Sequence, residues 1–492
     1  MSGVSTLSRR SVGLSGLSVL AVGASAPTAA LIAGVGQTYA QTGVAGVPLS
    51  YLLLAVALYL LTIGYLAMNG REPSAAPFYI LLARGLGRPW GVAGGVLALV
   101  GYNAVEISLF GFAGGTLSDS WGGPWWVWAA GPWLLIGLLG LRRVDISAKV
   151  LTGVLATEFS VIALIDVVAF THPAGGRISF EPLEPGKLFV GAAVGLVLAL
   201  GVAAFIGFET GTSFGEEARE DRNIPRATKV ALYIVTPVYL VSAWAVPVWT
   251  GPGNVQAAAR LDPTLPFTIL SQELGVFGHV VASIGQFLLY TSLIGAGLSF
   301  HGTISRIVYA MARDGLLPKR LERTGNDDGS QQDAPVAASL IQTSFAGVVI
   351  VVVAVAGWDP ITGMFTWFAT LTAVAIITLL TGTSGASIRW FHAGNGGNEN
   401  AWIRQWGPAL GIAVGVAGLI VMTIWMPSLL GTSTGAAVIP LVVGGAIVAG
   451  LCWAWVLRSG WPAVYADIGK GRAHQHYLPD PRLRQVKWVR GQ

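Results

Sequence analysis

Charge is what this sequence lacks most. Asp, Glu, Lys and Arg make up 11% of its 492 residues, against about 25% in soluble domains, so an ordinary soluble fold is excluded. Cysteine is down to one, Cys452, so no internal disulfide can form. There is no HExxH, no nucleophile elbow and no cysteine–histidine arrangement, which argues against an intramembrane enzyme. A nucleotide-binding loop is missing too. The glycine-rich stretch Gly394-Asn395-Gly396-Gly397-Asn398 lacks the strand and helix that a phosphate loop requires, so ATP-driven transport is disfavoured. No cofactor, metal or nucleic-acid partner is expected, and His474 and His476 stand in a polar tail without further ligands.

What fills the sequence instead is one long apolar run after another, and 53% of the residues are hydrophobic. Runs of this length can cross a hydrocarbon core of about 30 Å. The expected fold is an all-α polytopic membrane protein with twelve transmembrane helices, the bilayer being its first partner. The spans fall at 13–40, 46–68, 89–116, 124–141, 147–170, 188–214, 230–250, 277–304, 335–357, 360–386, 407–427 and 434–457. Their linkers alternate in charge. Of 29 Lys and Arg, all but Arg177, Lys187 and Arg260 lie in one alternating set: the N-terminus, segments near 71–88, 142–149, 219–229, 306–323 and 389–404, and the tail after 458. The positive-inside rule assigns that set, and both termini, to the cytoplasm. Ser8 to Leu14 imitates a twin-arginine secretion signal, but the apolar run continues too far beyond it for a cleaved signal.

Two spans are interrupted. In span 6 the run breaks at Gly207-Phe208-Glu209-Thr210-Gly211 and ends in a burst of charge up to Thr228. Span 1 is interrupted at Gly23-Ala24-Ser25-Ala26-Pro27-Thr28, where the proline removes a helix hydrogen bond. Unwound backbone at membrane depth is tolerated only against protein or a water-filled cavity. Spans 1 and 6 open two sets of five, and an odd number per set forces opposite orientations. Matched breaks in two inverted halves point to the midplane site of a secondary transporter. The expected organisation is a cytoplasmic N-terminus 1–12, a first repeat 13–170, a second, inverted repeat 188–386, two further helices in 407–457 and a cytoplasmic tail 458–492. Gly191/Gly195 and Gly411/Gly415 have the small-xxx-small spacing of close helix packing.

The spans hold four carboxylates, Glu106, Glu158, Asp166 and Glu209, and almost no cations to match them. Ionisable groups at that depth are functional candidates by default, with Glu209 and Glu158 expected to couple protons. Asp166, near the outer end of span 5, best fits a structural role, hydrogen-bonded to backbone or lining a wet vestibule. At an unwound turn, free N–H groups favour an anion and free carbonyls a cation. Ser25, with the backbone of Ala24 and Ala26, is therefore expected to hold a carboxylate. The carbonyls of Phe205, Ile206 and Phe208, beside Glu209, are expected to hold an ammonium. A zwitterionic amino acid carries both charges.

The chain resembles the amino acid–polyamine–organocation (APC) superfamily of permeases. The likeness rests on the FIGFET break followed by EEAREDRNIPRAT, and on SRIVYAMARDGLLPK, residues 305–319; topology extends it over nearly the whole chain. It implies a five-plus-five inverted repeat with broken helices 1 and 6, alternating access, amino acids or related amines as substrates, and added weight for Ser25, Ile206 and Gly207. The departures are informative. Ala24-Ser25-Ala26 replaces the family's glycine-serine-glycine, and Glu158 stands where proton-coupled members carry a lysine. Ala203 stands where relatives can have a bulky aromatic, leaving Phe208 or Phe205 as the gate. Glu106 is an extra acid that would select a cationic substrate if it faced the cavity. The leading expectation is proton-coupled amino acid transport in the cytoplasmic membrane. The alternatives are exchange without a proton, or a sensor or channel on the same fold.

Overall fold

The computed structural model describes residues 11–142, 144–191, 193–262, 264–325, 334–433 and 435–470. Ser8 to Arg10 of the signal-like stretch, and His474 and His476 of the tail, lie outside them. The described residues contain eleven helices long and apolar enough to cross a bilayer. Span 1 is Leu14–Thr42, span 2 Val47–Asn69, span 3 Arg88–Trp121, span 6 Ala193–Phe214 and span 7 Asn223–Thr250. Spans 8 to 12 are Gly275–Arg313, Val336–Val355, Pro360–His392, Trp402–Leu430 and Gly435–Gly460. Span 5 forms the helix Val144–Thr171. The fourth predicted span appears as a shorter apolar helix of 16 residues, Trp125–Gly140. Short helices that the apolar pattern did not announce fill the linkers, among them Pro77–Gly85 and Leu265–Glu273.

Local chemistry sets where several helices begin. Pro48, Pro89 and Pro408 sit in first turns, where a missing N–H costs nothing. Asp359 caps span 10, its carboxylate accepting from the N–H groups of Ile361 at 2.9 Å and Thr362 at 2.7 Å. Gly411 and Gly415 pack as their spacing predicts. A Cβ at Gly411 would lie 2.8 Å from Leu60 O, and one at Gly415 2.0 Å from Thr381 Oγ1, so span 11 lies tight against spans 2 and 10. Gly191 differs, lying before the helix with open space around it.

Both predicted breaks are present. Span 1 is helical to Ala24 and restarts at Pro27. Between them Ala26 takes φ 43°, and among the described residues no other non-glycine has a positive φ. Such a conformation costs about 1–3 kcal/mol, which the surrounding structure must offset. In span 6 the helix ends at Phe205, Gly207 takes φ 111°, and a tighter turn runs from Thr210 to Phe214. The breaks touch backbone to backbone: a Cβ at Gly207 would lie 2.6 Å from the Ala24 carbonyl carbon. Span 1 is in turn packed against spans 5, 7 and 8.

The face carrying most of the basic linkers is sealed. Val12 pairs in parallel with Ala218, its N–H donating to Glu217 O at 3.1 Å and its carbonyl accepting from Arg219 N at 2.8 Å. Arg306 grips Glu217 through two bonds, at 2.6 and 2.8 Å, and stacks 4.1 Å from the Phe214 ring centre. Arg313 grips Glu216 at 2.9 and 3.0 Å. The acidic pair that follows the span 6 break is thereby bolted to the end of span 8.

Candidate functional site

A cavity of about 280 Å³ lies where the two breaks meet. Its floor is Ala24, Ser25 and Ala26 of span 1 and Ile206 of span 6, all buried. Spans 3 and 10 wall it, and exposed Gln37, Gln41 and Thr362 border it at the face opposite the seal. Small side chains make the room, chiefly Ala29, Ala30, Ala203 and Ala204. Ala24, Ser25, Ala26 and Ile206, four of the residues expected to hold substrate, thus border one cavity.

The expected donors of the span 1 break are engaged within the chain. The N–H groups of Ser25 and Ala26 donate to Val22 O and Gly23 O, both at 3.1 Å. The Ser25 carbonyl accepts from the Tyr239 hydroxyl at 3.0 Å. At the start of the second half-helix, where free N–H groups favour an anion, the protein supplies its own. Glu158 Oε2 accepts from Thr28 N at 3.3 Å, Thr28 Oγ1 at 2.9 Å and Ser292 Oγ at 2.8 Å. Its Oε1 is buried without a partner. Glu158 therefore joins spans 5, 1 and 8 just behind the cavity floor.

Glu209 is fully buried and tied at both oxygens. Oε2 accepts the Gly207 N–H at 3.1 Å, and Oε1 accepts from the Tyr102 hydroxyl at 3.1 Å. One carboxylate thus satisfies the N–H freed by its own break and fastens that break to span 3.

Three expectations need correction. Glu106 does not border the cavity. It is 1% exposed, with Oε1 2.9 Å from His301 Nδ1 and Oε2 accepting from Gln342 Nε2 at 2.8 Å. His301 continues to Ser339 Oγ at 2.8 Å. Helix periodicity is responsible: Val105, Ser108, Leu109 and Phe112 hold the cavity face of span 3, and position 106 turns towards spans 8 and 9. The gate residues move as well. The Phe205 ring packs between Tyr51 and Tyr239 at centroid distances of 6.0 and 5.4 Å. The Phe208 ring sits beside Leu58, Ile376 and Ile377, and neither ring borders the main cavity. The rings that do are Phe112, Phe300 and Phe365. Asp166 is buried and hydrogen-bonded, as one of its two structural readings has it, but its partner is a side chain rather than backbone: it accepts from Ser242 Oγ on span 7 at 3.0 Å.

The sequence reading missed Tyr102, Tyr239, Thr28 and Ser292, which satisfy the broken backbone and its carboxylates. A tyrosine inside an apolar run was the available signal, since a buried hydroxyl needs a partner.

The chain is 25% identical over 392 residues to the lysine-specific permease LysP of Escherichia coli (strain K12), covering 73% of this chain and 76% of that one. It is 27% identical over 292 residues to an uncharacterised transporter of Mycobacterium tuberculosis (strain ATCC 25618 / H37Rv), covering 56% and 60%. Among solved structures, MhsT in complex with L-phenylalanine shares the fold with a TM-score of 0.57 at 14% identity, over 84% of this chain and 98% of that one. The profile of the amino acid permease family matches residues 16–462. This chain is a multi-pass membrane protein that belongs to the amino acid permease family.

Proposed function

We propose that the protein is a secondary active transporter of amino acids or related organic amines, working by alternating access and coupled to protons. In this reading twelve helices cross the cytoplasmic membrane, Trp125–Gly140 among them, with both termini inside. Residues 13–170 and 188–386 form inverted repeats, 407–457 adds two helices, and 1–12 and 458–492 are cytoplasmic. The observation that carries it is one cavity floored by both helix breaks, bordered by exposed residues at one face and sealed at the basic face. If the basic face is cytoplasmic, this conformation faces outward. Substrate settles on Ala24, Ser25, Ala26 and Ile206. Opening inward then requires release of the Glu217–Arg306 and Glu216–Arg313 pairs.

Coupling falls to Glu158 and Glu209, with Glu158 the better suited. Its unpartnered Oε1 leaves room for a proton, and its other oxygen holds the second half of the broken span 1. Gain or loss of that proton changes how firmly the half-helix is held. Liposomes containing the purified protein test this reading: amino acid accumulation should follow an imposed pH gradient and collapse with a protonophore. Uptake that needs only internal amino acid, whatever the gradient, would mean proton-free exchange. No uptake of any amino acid or amine would reject transport.

A further inference from the structure

We infer that the cavity selects amino acids with a large, neutral, apolar or aromatic side chain and discriminates against basic ones. This inference rests on the reading of the cavity as the substrate site. Among the described residues bordering the cavity there is no Asp, Glu, Lys, Arg or His. Polar side chains are confined to serines, threonines and glutamines, such as Ser25, Ser108 and Thr370. The rest is aliphatic and aromatic. Phe112 and Phe365 stand together with ring centres 4.8 Å apart, and Phe300 faces the cavity from span 8.

The carboxylates that could receive a basic side chain are turned away. Glu106 spends both oxygens on His301 and Gln342, and Glu209 spends both on Gly207 and Tyr102. Glu158 lies behind Thr28 and does not border the cavity. A lysine substrate would therefore bury its terminal ammonium among alanines and phenyl rings without a counter-charge. Neutral oxygens and ring faces repay only part of that desolvation, because no counter-charge borders the cavity among the described residues. A phenyl or branched aliphatic side chain meets no such penalty and gains the area it buries. Ala203 fits this choice, because the small residue opens the space that a large side chain fills. The α-ammonium and α-carboxylate are common to all these substrates and do not discriminate.

The test uses the full-length protein, purified in detergent, in thermal-shift titrations with L-phenylalanine, L-leucine, L-lysine and L-glutamate. Phenylalanine and leucine should stabilise it at concentrations at least ~100-fold below those lysine needs, corresponding to roughly two tenfold steps of affinity. A lysine response equal to or stronger than that of phenylalanine overturns the inference and leaves amino acid transport standing. If none of the four binds a protein that melts cooperatively, the inference falls, and the liposome uptake assay with amines decides the transport reading separately. Ala203→Trp should weaken phenylalanine at least ~10-fold while sparing glycine; unchanged phenylalanine binding overturns the inference. Should that variant not fold, the wild-type ranking decides alone.

Discussion

Replacing Glu158 by glutamine separates what its contacts show, the holding of a broken helix, from the role proposed for it, the carrying of a proton. Three donors converge on Oε2, at 2.8, 2.9 and 3.3 Å. An amide oxygen has two lone pairs and can keep the two shorter bonds, from Ser292 Oγ and Thr28 Oγ1, so Glu158→Gln keeps spans 1, 5 and 8 connected. Bonds to charged groups exceed neutral ones by about 1 kcal/mol each, and the amide NH2 placed at the partnerless Oε1 position adds about 1–3 kcal/mol, so the loss is a few kcal/mol. Glu158→Ala is more damaging: Thr28 N, Thr28 Oγ1 and Ser292 Oγ all lose their acceptor, at about 1–3 kcal/mol for each left orphaned, and the lost side chain leaves a cavity. The melting order should be wild type, then Gln, then Ala. Transport should divide differently. One proton per substrate lets a pH unit, about 1.4 kcal/mol, drive about tenfold accumulation. In liposomes, Glu158→Gln should lose that accumulation entirely while retaining substrate-for-substrate exchange and, since Glu158 lies off the cavity, an affinity within about threefold of wild type. Gradient-driven accumulation by Glu158→Gln at the wild-type level would refute the assignment.

Further predictions follow from other contacts. Gly207→Ala combines an unfavourable φ of 111° with a Cβ 2.6 Å from backbone, and should abolish monodisperse protein on size exclusion or cost well over about 1–3 kcal/mol in the melt. Glu217→Ala strands the buried Arg306 guanidinium and should cost about 3–5 kcal/mol, whereas Glu220→Ala, from an exposed pair with Arg222, should leave the melt unchanged. At Asp359 burial pushes the carboxyl up, but bonds from Thr362 and Ile361 outweigh it and hold the group below its ordinary value. Its contribution is therefore present above the ordinary carboxylate range and lost as pH falls through the folded value. Asp359→Ala should cost about 0.5 kcal/mol at pH 7, the low end for an exposed cap, and the gap from wild type should narrow below pH 4.

The long apolar runs made the helices legible, because span length is set by the bilayer and each run is bounded by charge or proline. The two breaks were legible for the opposite reason: Pro27 and the Gly207–Gly211 cluster are costly in a helix unless something uses them. What the sequence could not convey was the direction of side chains within a span that is apolar all round. Glu106 and Ser108 are two residues apart on span 3, yet one turns to His301 and the other to the cavity. Without an amphipathic stripe there is no sequence phase to tell them apart. Phe205 and Phe208 were misjudged for the same reason, since proximity to a break does not fix where a ring points. Glu158 and Asp166 of span 5 each find a hydroxyl on a neighbouring span, contacts that no pattern in the apolar run announced.

The contact between Gly207 and Ala24 has a mechanical consequence. Of the three nearest atoms a Cβ at Gly207 would meet, two belong to the Ala24 main chain, so trimming the Ala24 side chain leaves the collision in place. No second-site change at position 24 can rescue a larger residue at 207. The two unwound turns thus share one pivot: a shift in either is transmitted at once through bare peptide to the other, with no flexible side chain between them to absorb it. A force on either turn is therefore felt by spans 1 and 6 together, through a single joint.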